Sequence, residues 1–237
     1  MRHILIVKAG DTAKSVAEGN GDYDAWFRKA FQKGGVAAGF TVVRPGEGQG
    51  LPALGVFDGL VVTGSPKSVT ADEPWMMPLA KDVLAAAERG LPVLGVCFGH
   101  QLLCAALGGK VAKNPSGREI GTQRMELTEA GRSDPVLRNL APIFVVNTTH
   151  EDAVVEAPAG AVALVKNANS EFQAARLGPR VLTVQFHPEL DGPTMIAKLK
   201  SVEAELAAGG ADVAALLSSA RDTPDGVSLL RAWARNG

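Results

Sequence analysis

Residues 91–101 read Leu-Pro-Val-Leu-Gly-Val-Cys-Phe-Gly-His-Gln. The apolar start predicts a buried strand, and the pattern Gly-x-Cys-x-Gly around Cys97 predicts a sharp turn from that strand into a helix, as in the nucleophile elbow of hydrolases. Such a turn lifts the Cys97 side chain out of the sheet and leaves the amide of Phe98 free to bind an oxyanion. It also points the positive end of the helix dipole at the sulfur, which favours the thiolate. Cys97 is therefore a candidate nucleophile, although a free cysteine is more often a small buried apolar residue.

The chain on either side of this turn has the pattern of an α/β protein. Apolar strands alternate with amphipathic helices, the strands near 3–8, 40–44, 58–63 and 92–96 and the helices near 22–33 and 72–89. This alternation predicts a parallel sheet covered by helices on both faces. Shorter strands separated by turns follow near 122–128, 143–146, 162–166, 172–177 and 181–186. They predict a partly antiparallel section that returns to the main sheet.

A thiolate nucleophile needs a base, and the base needs a group that orients it. Of the four histidines, His187 has the most suitable position, because it ends an apolar strand. Functional side chains gather beyond the carboxyl ends of the strands in open α/β sheets. Pro188 stiffens the following turn, and Glu189 is placed to bind the far nitrogen of the ring. The competing interpretation, a strand-end histidine beside a solvated glutamate, is weakened by the elbow at Cys97.

Two motifs together carry a family resemblance. They are Gly-Val-Cys-Phe-Gly-His-Gln at 95–101 and Gln-Phe-His-Pro-Glu at 185–189. In this order and spacing they resemble the class I, triad-type glutamine amidotransferases, and look closest to the amidotransferase domain of GMP synthase and its free-standing relatives. The resemblance runs from about residue 2 to residue 189. It implies an α/β fold, a flavodoxin-like three-layer sandwich with a central, mostly parallel sheet.

The resemblance also implies a role for each residue that matches a motif. Cys97 would form a γ-glutamyl thioester, His187 would be the general base and acid, and Glu189 would orient it. The backbone amides of Ser65 and Phe98 would form the oxyanion hole. The substrate would be bound by Gly64, Gln101, Thr149, His150 and Asp152.

Two positions depart from the family pattern. Ser65 replaces a glycine at the second oxyanion donor, which could change the geometry of the hole, and Glu151 stands where glycine is common, which could narrow or charge the pocket. Residues 118–121 resemble a family segment near the edge of the cleft and are interpreted as mainly structural. Cys104 lies in an apolar stretch of the predicted helix, where core packing is the simpler interpretation.

Composition limits the classes of partner and cofactor. The 237 residues are 46% hydrophobic and 21% charged, with a net charge of −1, which is ordinary for a globular protein and gives no electrostatic basis for binding nucleic acid or an anionic membrane. Two cysteines, with neither a leader peptide nor a long apolar run, favour a reduced cytoplasmic setting. No Cys/His cluster has zinc spacing, so neither a metal nor a cofactor is expected.

The last residues predict helices. Apolar residues recur at three- and four-residue steps after residue 191, and Gly209 and Gly210 interrupt the pattern. We expect a class I amidotransferase domain over residues 1–190 and a helical extension, residues 191–237, that packs on it. A homodimer or partner surface on these helices is the second interpretation.

Three functions remain open. In the first, the chain hydrolyses the side-chain amide of glutamine and passes ammonia to a separate synthase, because no Ser-Gly-Gly-x-Asp-Ser phosphate motif of a synthase domain is present. In the second, it hydrolyses γ-glutamyl peptides or γ-glutamylamines with the same triad. In the third, it is a non-catalytic regulatory protein on this scaffold, which the intact Cys97, His187 and Glu189 argue against. Fold alone does not choose among them.

Overall fold

A computed structural model describes all 237 residues. It contains eleven strands: β1 (Arg2–Val7), β2 (Ala38–Val43), β3 (Gly59–Val62), β4 (Val93–Val96), β5 (Lys110–Lys113), β6 (Glu119–Leu127), β7 (Ile143–His150), β8 (Asp152–Glu156), β9 (Val162–Lys166), β10 (Ala174–Arg176) and β11 (Val181–Val184). It contains nine α-helices: α1 (Lys14–Asn20), α2 (Tyr23–Lys33), α3 (Met76–Glu88), α4 (Phe98–Ala106), α5 (Glu129–Ser133), α6 (Gly192–Ser201), α7 (Glu203–Ala208), α8 (Val213–Ser219) and α9 (Pro224–Asn236).

Nine strands form one central sheet in the order β2-β1-β3-β4-β11-β10-β9-β6-β7. The first five are parallel, and the remaining four extend the sheet with antiparallel pairs. The parallel part has the flavodoxin-like order, with β1 and β3 adjacent where the strand order reverses. The predicted α/β fold with a mostly parallel sheet and an antiparallel section is therefore confirmed. A separate two-stranded sheet, β5 with β8, was not predicted.

The sheet is buried on both faces because side chains alternate along each strand. In β1, Ile4 and Ile6 join a cluster of 26 buried residues on one face. Leu5 and Val7 join a second cluster of 17 on the other face, with residues of α3 and α4. Both faces are thus covered, which is why the strand is almost uniformly apolar.

Some boundaries differ from the predicted ones. The helix predicted near 72–89 is α3, Met76–Glu88, preceded by a 3₁₀ turn at Val69–Ala71. Strand β7 does not end near residue 146 but continues to His150, because its polar end stays paired with β6 and Glu119 lies opposite His150. Helix α1 was not predicted.

The C-terminal helices are closely joined to the rest of the chain. Helix α6 begins after Asp191, whose side chain accepts hydrogen bonds from Thr194 at the helix N-terminus. Leu229, Leu230 and Trp233 of α9 lie in the larger core cluster. The predicted break at Gly209 and Gly210 separates α7 from α8. No helix is both long and apolar enough to cross a membrane.

Candidate active site

Cys97 lies at the turn between β4 and α4, in a strained conformation. Its φ and ψ are 50° and −98°, one of only two positive φ values outside glycine. Glycines allow the close packing that this turn requires, since a Cβ on Gly99 would lie 2.5 Å from the carbonyl oxygen of Val62, and one on Gly95 would lie 2.8 Å from that of Gly99. Strain held at a side chain that faces a cleft is a feature of functional sites.

His187 and Glu189 meet beside Cys97 after the end of β11. The Nδ1 atom of His187 lies 2.6 Å from Oε1 of Glu189, and the two residues are 1% and 5% exposed. The backbone amide of His187 donates to the carbonyl oxygen of Asn147 at 2.8 Å, which fixes the loop across the sheet. Gly64 leaves room for the His187 ring. A Cβ at position 64 would lie only 2.6 Å from Cε1 of His187, so any larger residue there would obstruct the ring.

The charge state of His187 is set by opposing effects. Burial alone would lower its pKa, but the charge of Glu189, the adjacent Cys97 side chain and the hydrogen bond to Glu189 raise the pKa to about 9. With Nδ1 held by Glu189, the other ring nitrogen, Nε2, is left for the sulfur of Cys97. The imidazolium is therefore available as a proton donor at neutral pH.

Two backbone amides beside the sulfur lack an acceptor within the chain. Phe98 is the first residue of α4, so its amide has no intrahelical partner, and the amide of Ser65 makes no hydrogen bond. The serine at position 65 needs no left-handed backbone. Its hydroxyl donates to the carbonyl oxygen of Ala9 at 3.2 Å and accepts from the amide of Lys67 at 3.1 Å. The Ser65 side chain packs against Gly10, where an added Cβ would lie only 2.5 Å from the hydroxyl oxygen of Ser65.

The predicted substrate residues line the same cleft as Cys97, with one exception. The amide nitrogen of Gln101 donates to the carbonyl oxygen of Asp152 at 2.8 Å and to Gln185 at 3.0 Å, which leaves its side-chain oxygen without a partner. The carbonyl oxygen of Thr149 lies 3.8 Å from the Cys97 sulfur. Gly64 is the exception, because it lies behind the His187 ring rather than on the cleft surface.

His150 is held on both sides of its ring. Nδ1 lies 2.9 Å from the carbonyl oxygen of Asp152, and Nε2 lies 3.0 Å from Glu119, which also accepts from Gln173 at 2.7 Å and from Asn167. Burial would raise the pKa of Glu119, but these hydrogen bonds and the charge of His150 outweigh it and lower the pKa. This network supports the junction of β7 and β8, where Thr149 and Asp152 lie.

The other reactive side chains are inert by their surroundings. Burial and the nearby His150 lower the pKa of His100 to about 3, so this ring is neutral. Burial raises the pKa of the Cys104 thiol to about 12, against a hydrogen bond with Thr183 that lowers it.

Glu151 lies at the cleft rim and forms an ion pair with Arg118 at 3.4 Å, and Arg118 pairs with Glu205 at 2.8 Å.

Two cleft residues were missed by the sequence analysis. Tyr23, the single tyrosine of the chain, stacks beside His187 with ring centroids 6.4 Å apart. Lys198 of α6 places its ammonium nitrogen 5.3 Å from the ring centroids of Tyr23 and Trp26. The sequence indicated Tyr23 only weakly, as a tyrosine that follows Asp22 at the start of a predicted helix. No sequence pattern indicated that Lys198 would reach the cleft.

These residues enclose a cleft of about 480 Å³. Its lining includes Cys97, His187, Ser65 and Phe98, and Glu189 is buried against His187. These are the groups needed to form and hydrolyse an acyl thioester. No cluster of His, Cys, Asp or Glu side chains has the arrangement of a metal site.

Comparison with known proteins identifies the family of this chain. The family model described as "Glutamine amidotransferase class-I" matches residues 36–199. A glutamine amidotransferase-like protein of Schizosaccharomyces pombe is 28% identical over 217 residues, which cover 85% of this chain and 86% of the relative. A GMP synthase of Aeropyrum pernix is 36% identical over 143 residues, which cover 60% of this chain but only 26% of the relative.

Solved structures share the fold. The crystal structure of a glutamine amidotransferase from Thermotoga maritima superposes with a TM-score of 0.79 at 21% identity, covering 98% of this chain and 96% of that one. At this identity the likeness shows the architecture alone.

Proposed function

The chain belongs to the class I glutamine amidotransferase family, and from this premise we propose that it hydrolyses the side-chain amide of glutamine through a γ-glutamyl thioester on Cys97. The observation that carries the proposal is the convergence of the strained Cys97 with the buried His187–Glu189 pair in one cleft. Each of the three groups has the neighbour that the reaction requires of it.

In the first half of the reaction, the Cys97 thiolate attacks the γ-carbonyl carbon. The charge that develops on the carbonyl oxygen is received by the amides of Phe98 and Ser65, each worth about 2.7–4 kcal/mol of transition-state stabilisation in comparable sites. The C–N bond then breaks, and the imidazolium of His187 gives its proton to the departing nitrogen. Glu189 holds the ring in the tautomer and orientation that this transfer requires.

In the second half, water replaces the leaving group beside His187. The imidazole takes a proton from the water as it attacks the thioester carbon, and the same two amides stabilise the second tetrahedral intermediate. The C–S bond breaks, glutamate leaves, and Cys97 returns to the thiolate beside a protonated His187. No cofactor enters either step.

A second substrate class, γ-glutamyl peptides and amines, is favoured by the size of the cleft. A volume of about 480 Å³ falls within the range of pockets that hold drug-sized ligands, which exceeds the needs of free glutamine. The thioester chemistry is the same, and only the leaving amine differs. A purely regulatory role would leave the strain at Cys97 and the burial of Glu189 without a purpose.

Ammonia released from glutamine would need an acceptor. The Aeropyrum relative is named a glutamine-hydrolysing GMP synthase, and the matched region is about a quarter of it. We therefore propose a synthase-type partner for the glutamine reaction, and a reduced cytoplasmic setting that suits the two free cysteines.

The test is Cys97→Ala with Cys104→Ala as its matched control. We expect the Cys97 variant to lose glutamate release from glutamine and from γ-glutamyl peptides, while the Cys104 variant keeps it, because the Cys104 thiol is neutral and packed in the core. Acid quenching of wild type followed by intact-mass analysis should show a γ-glutamyl adduct on Cys97. Glutamate release by the Cys97→Ala protein would refute the proposal.

A further inference from the structure

Lys198 is a half-buried cation in the catalytic cleft that has no anionic partner of its own. Its ammonium group lies over the faces of Tyr23 and Trp26, an arrangement that holds a cation by attraction to the ring electrons. Burial lowers its pKa, although the charges of Cys97, Glu189 and Asp22 act in the opposite direction. The ammonium group makes no hydrogen bond and no ion pair within the chain.

The carboxylates around Lys198 are already engaged elsewhere. Asp22 pairs with Lys8 at 2.7 Å, and Glu189 pairs with His187 at 2.6 Å. Among the other cleft cations, Lys67 is bound to Glu73 and Arg118 to Glu205. Lys113 also has no ion pair, but unlike Lys198 it is exposed to solvent. A desolvated charge without a partner is costly, and an anionic ligand would relieve that cost.

Tyr23 supplies a second donor on the same wall. The residue is 3% exposed, and its hydroxyl makes no hydrogen bond but is not enclosed, so it opens onto the cleft. Burial and the charge of Cys97 raise its pKa well above the ordinary value, so the hydroxyl stays protonated and can donate. The salt bridges of Lys8 with Asp22 and Asp24 fix the first turn of α2, which positions Tyr23.

This wall lies on the leaving-group side of the reaction. His187 gives its proton to the departing nitrogen, so the leaving group lies against His187. Tyr23 packs beside the His187 ring, and Lys198 lies over Tyr23. Gln101, Thr149 and Asp152 also line this cleft, and the side chain of Gln101 donates to Asp152 rather than to Tyr23 or His187. Ammonia, the leaving group of glutamine, has no group that a lysine could bind.

We infer that Lys198 and Tyr23 form a carboxylate-binding subsite for the leaving group, so that within the second proposed substrate class the preferred substrates are γ-glutamyl amino acids. The inference rests on the proposed thioester chemistry and names its substrate class. The isopeptide C–N bond breaks, the His187 proton goes to the α-amino nitrogen of the released amino acid, and water then hydrolyses the thioester to glutamate. Lys198 and Tyr23 hold the carboxylate of the departing amino acid.

The test compares γ-glutamylglycine with γ-glutamylglycinamide, which has the same size but lacks the carboxylate charge. A charge-assisted hydrogen bond is worth about 1.5–3 kcal/mol, so wild type should prefer γ-glutamylglycine by about 10- to 100-fold in kcat/KM. Lys198→Met, which keeps the aliphatic length, should bring that ratio close to one. Tyr23→Phe, which removes only the hydroxyl, should reduce it about three- to tenfold. Lys200→Met, an exposed change on the same helix, is the matched control and should keep the ratio.

The possible outcomes distinguish failure of the proposed subsite from failure of the thioester mechanism. If the wild-type enzyme hydrolyses both substrates at equal rates and Cys97→Ala hydrolyses neither, the subsite is overturned and the thioester mechanism stands. Equal losses on both substrates in Lys198→Met would show that the lysine serves the Cys97 thiolate rather than the leaving group, and would also overturn it. Absence of any Cys97-dependent turnover would refute the proposed function and this inference together.

Discussion

Two buried histidine–carboxylate pairs flank the cleft, and they differ in what the second ring nitrogen contacts. His187 binds Glu189 through Nδ1, 2.6 Å away, and leaves Nε2 for the Cys97 sulfur. His150 binds Glu119 through Nε2, 3.0 Å away, but its Nδ1 is held by the carbonyl oxygen of Asp152 at 2.9 Å. One ring has a nitrogen available for chemistry, whereas the other has none.

The comparison shows that a polar side chain can act on a substrate only if one of its polar atoms has no hydrogen-bond partner within the chain. The His150–Glu119 pair supports the junction of β7 and β8 in the cleft wall, while the His187–Glu189 pair can exchange a proton. His100 is a third case, because burial lowers its pKa to about 3 and it binds Thr183 as a neutral ring. The same residue type thus takes three states within one small region.

The strongest test of this distinction exchanges each ring for an amide. His187→Gln should reduce kcat by at least about 10⁴-fold, because no group remains to move the proton. His150→Gln should instead lower the unfolding free energy by about 1–3 kcal/mol, because Glu119 loses a buried partner, and its loss of kcat should be far smaller. Steady-state kinetics and urea unfolding of both variants measure the two effects. Equal losses of kcat would mean that His150 also takes part in the chemistry.

A smaller effect is expected at the carboxylate that orients His187. Glu189→Gln should reduce kcat less than His187→Gln does, because the proton carrier remains. The charge of Glu189 helps to raise the pKa of His187 to about 9, so wild-type kcat/KM should fall as pH rises through about 9, where the imidazolium loses the proton it donates. Without that charge the pKa falls, so the alkaline limb should move to lower pH by about one to two units. If the alkaline limb did not move in Glu189→Gln, the group that titrates there would not be His187.

The smallest effect is expected at Ser65. Its hydroxyl is already bonded to the carbonyl oxygen of Ala9 and the amide of Lys67, so by the same reasoning the side chain is structural and only its backbone amide faces the substrate. Ser65→Ala should lower the unfolding free energy by about 0.5–1.5 kcal/mol and change kcat by less than about fivefold. A loss near the 10²–10³-fold typical of a missing oxyanion donor would show that the hydroxyl itself contacts the oxyanion.

Most of the fold followed from sequence pattern because its strands are uniformly apolar. The parallel strands β1, β3 and β4 are buried on both faces, so their composition alone marks them. The polar end of β7, which reaches His150, could not be recognised, since it is held in the sheet by pairing with β6 rather than by apolar burial. The small β5–β8 sheet was missed for the same reason: β5 is partly exposed and ends in lysines.

The candidate catalytic residues were found because they lie in short, locally constrained motifs. Cys97 needs glycines at positions 95 and 99, and Glu189 lies two residues from His187, so each arrangement is written in a few consecutive residues. Tyr23 and Lys198 are separated by 175 residues in sequence (198 minus 23) and meet through the packing of α2 and α6. No local pattern marks such a pair.

The sequence by itself determined the α/β architecture, the turn at Cys97 and the order of the nucleophile, the base and its carboxylate, because each depends on backbone sterics or on the burial of adjacent residues. Only the tertiary structure decided which histidine keeps a free nitrogen, that Ser65 fits beside Gly10, and that a lysine from the C-terminal helices enters the cleft. These depend on which distant atoms compete for each hydrogen bond and each space. That competition is resolved only when the whole chain is packed.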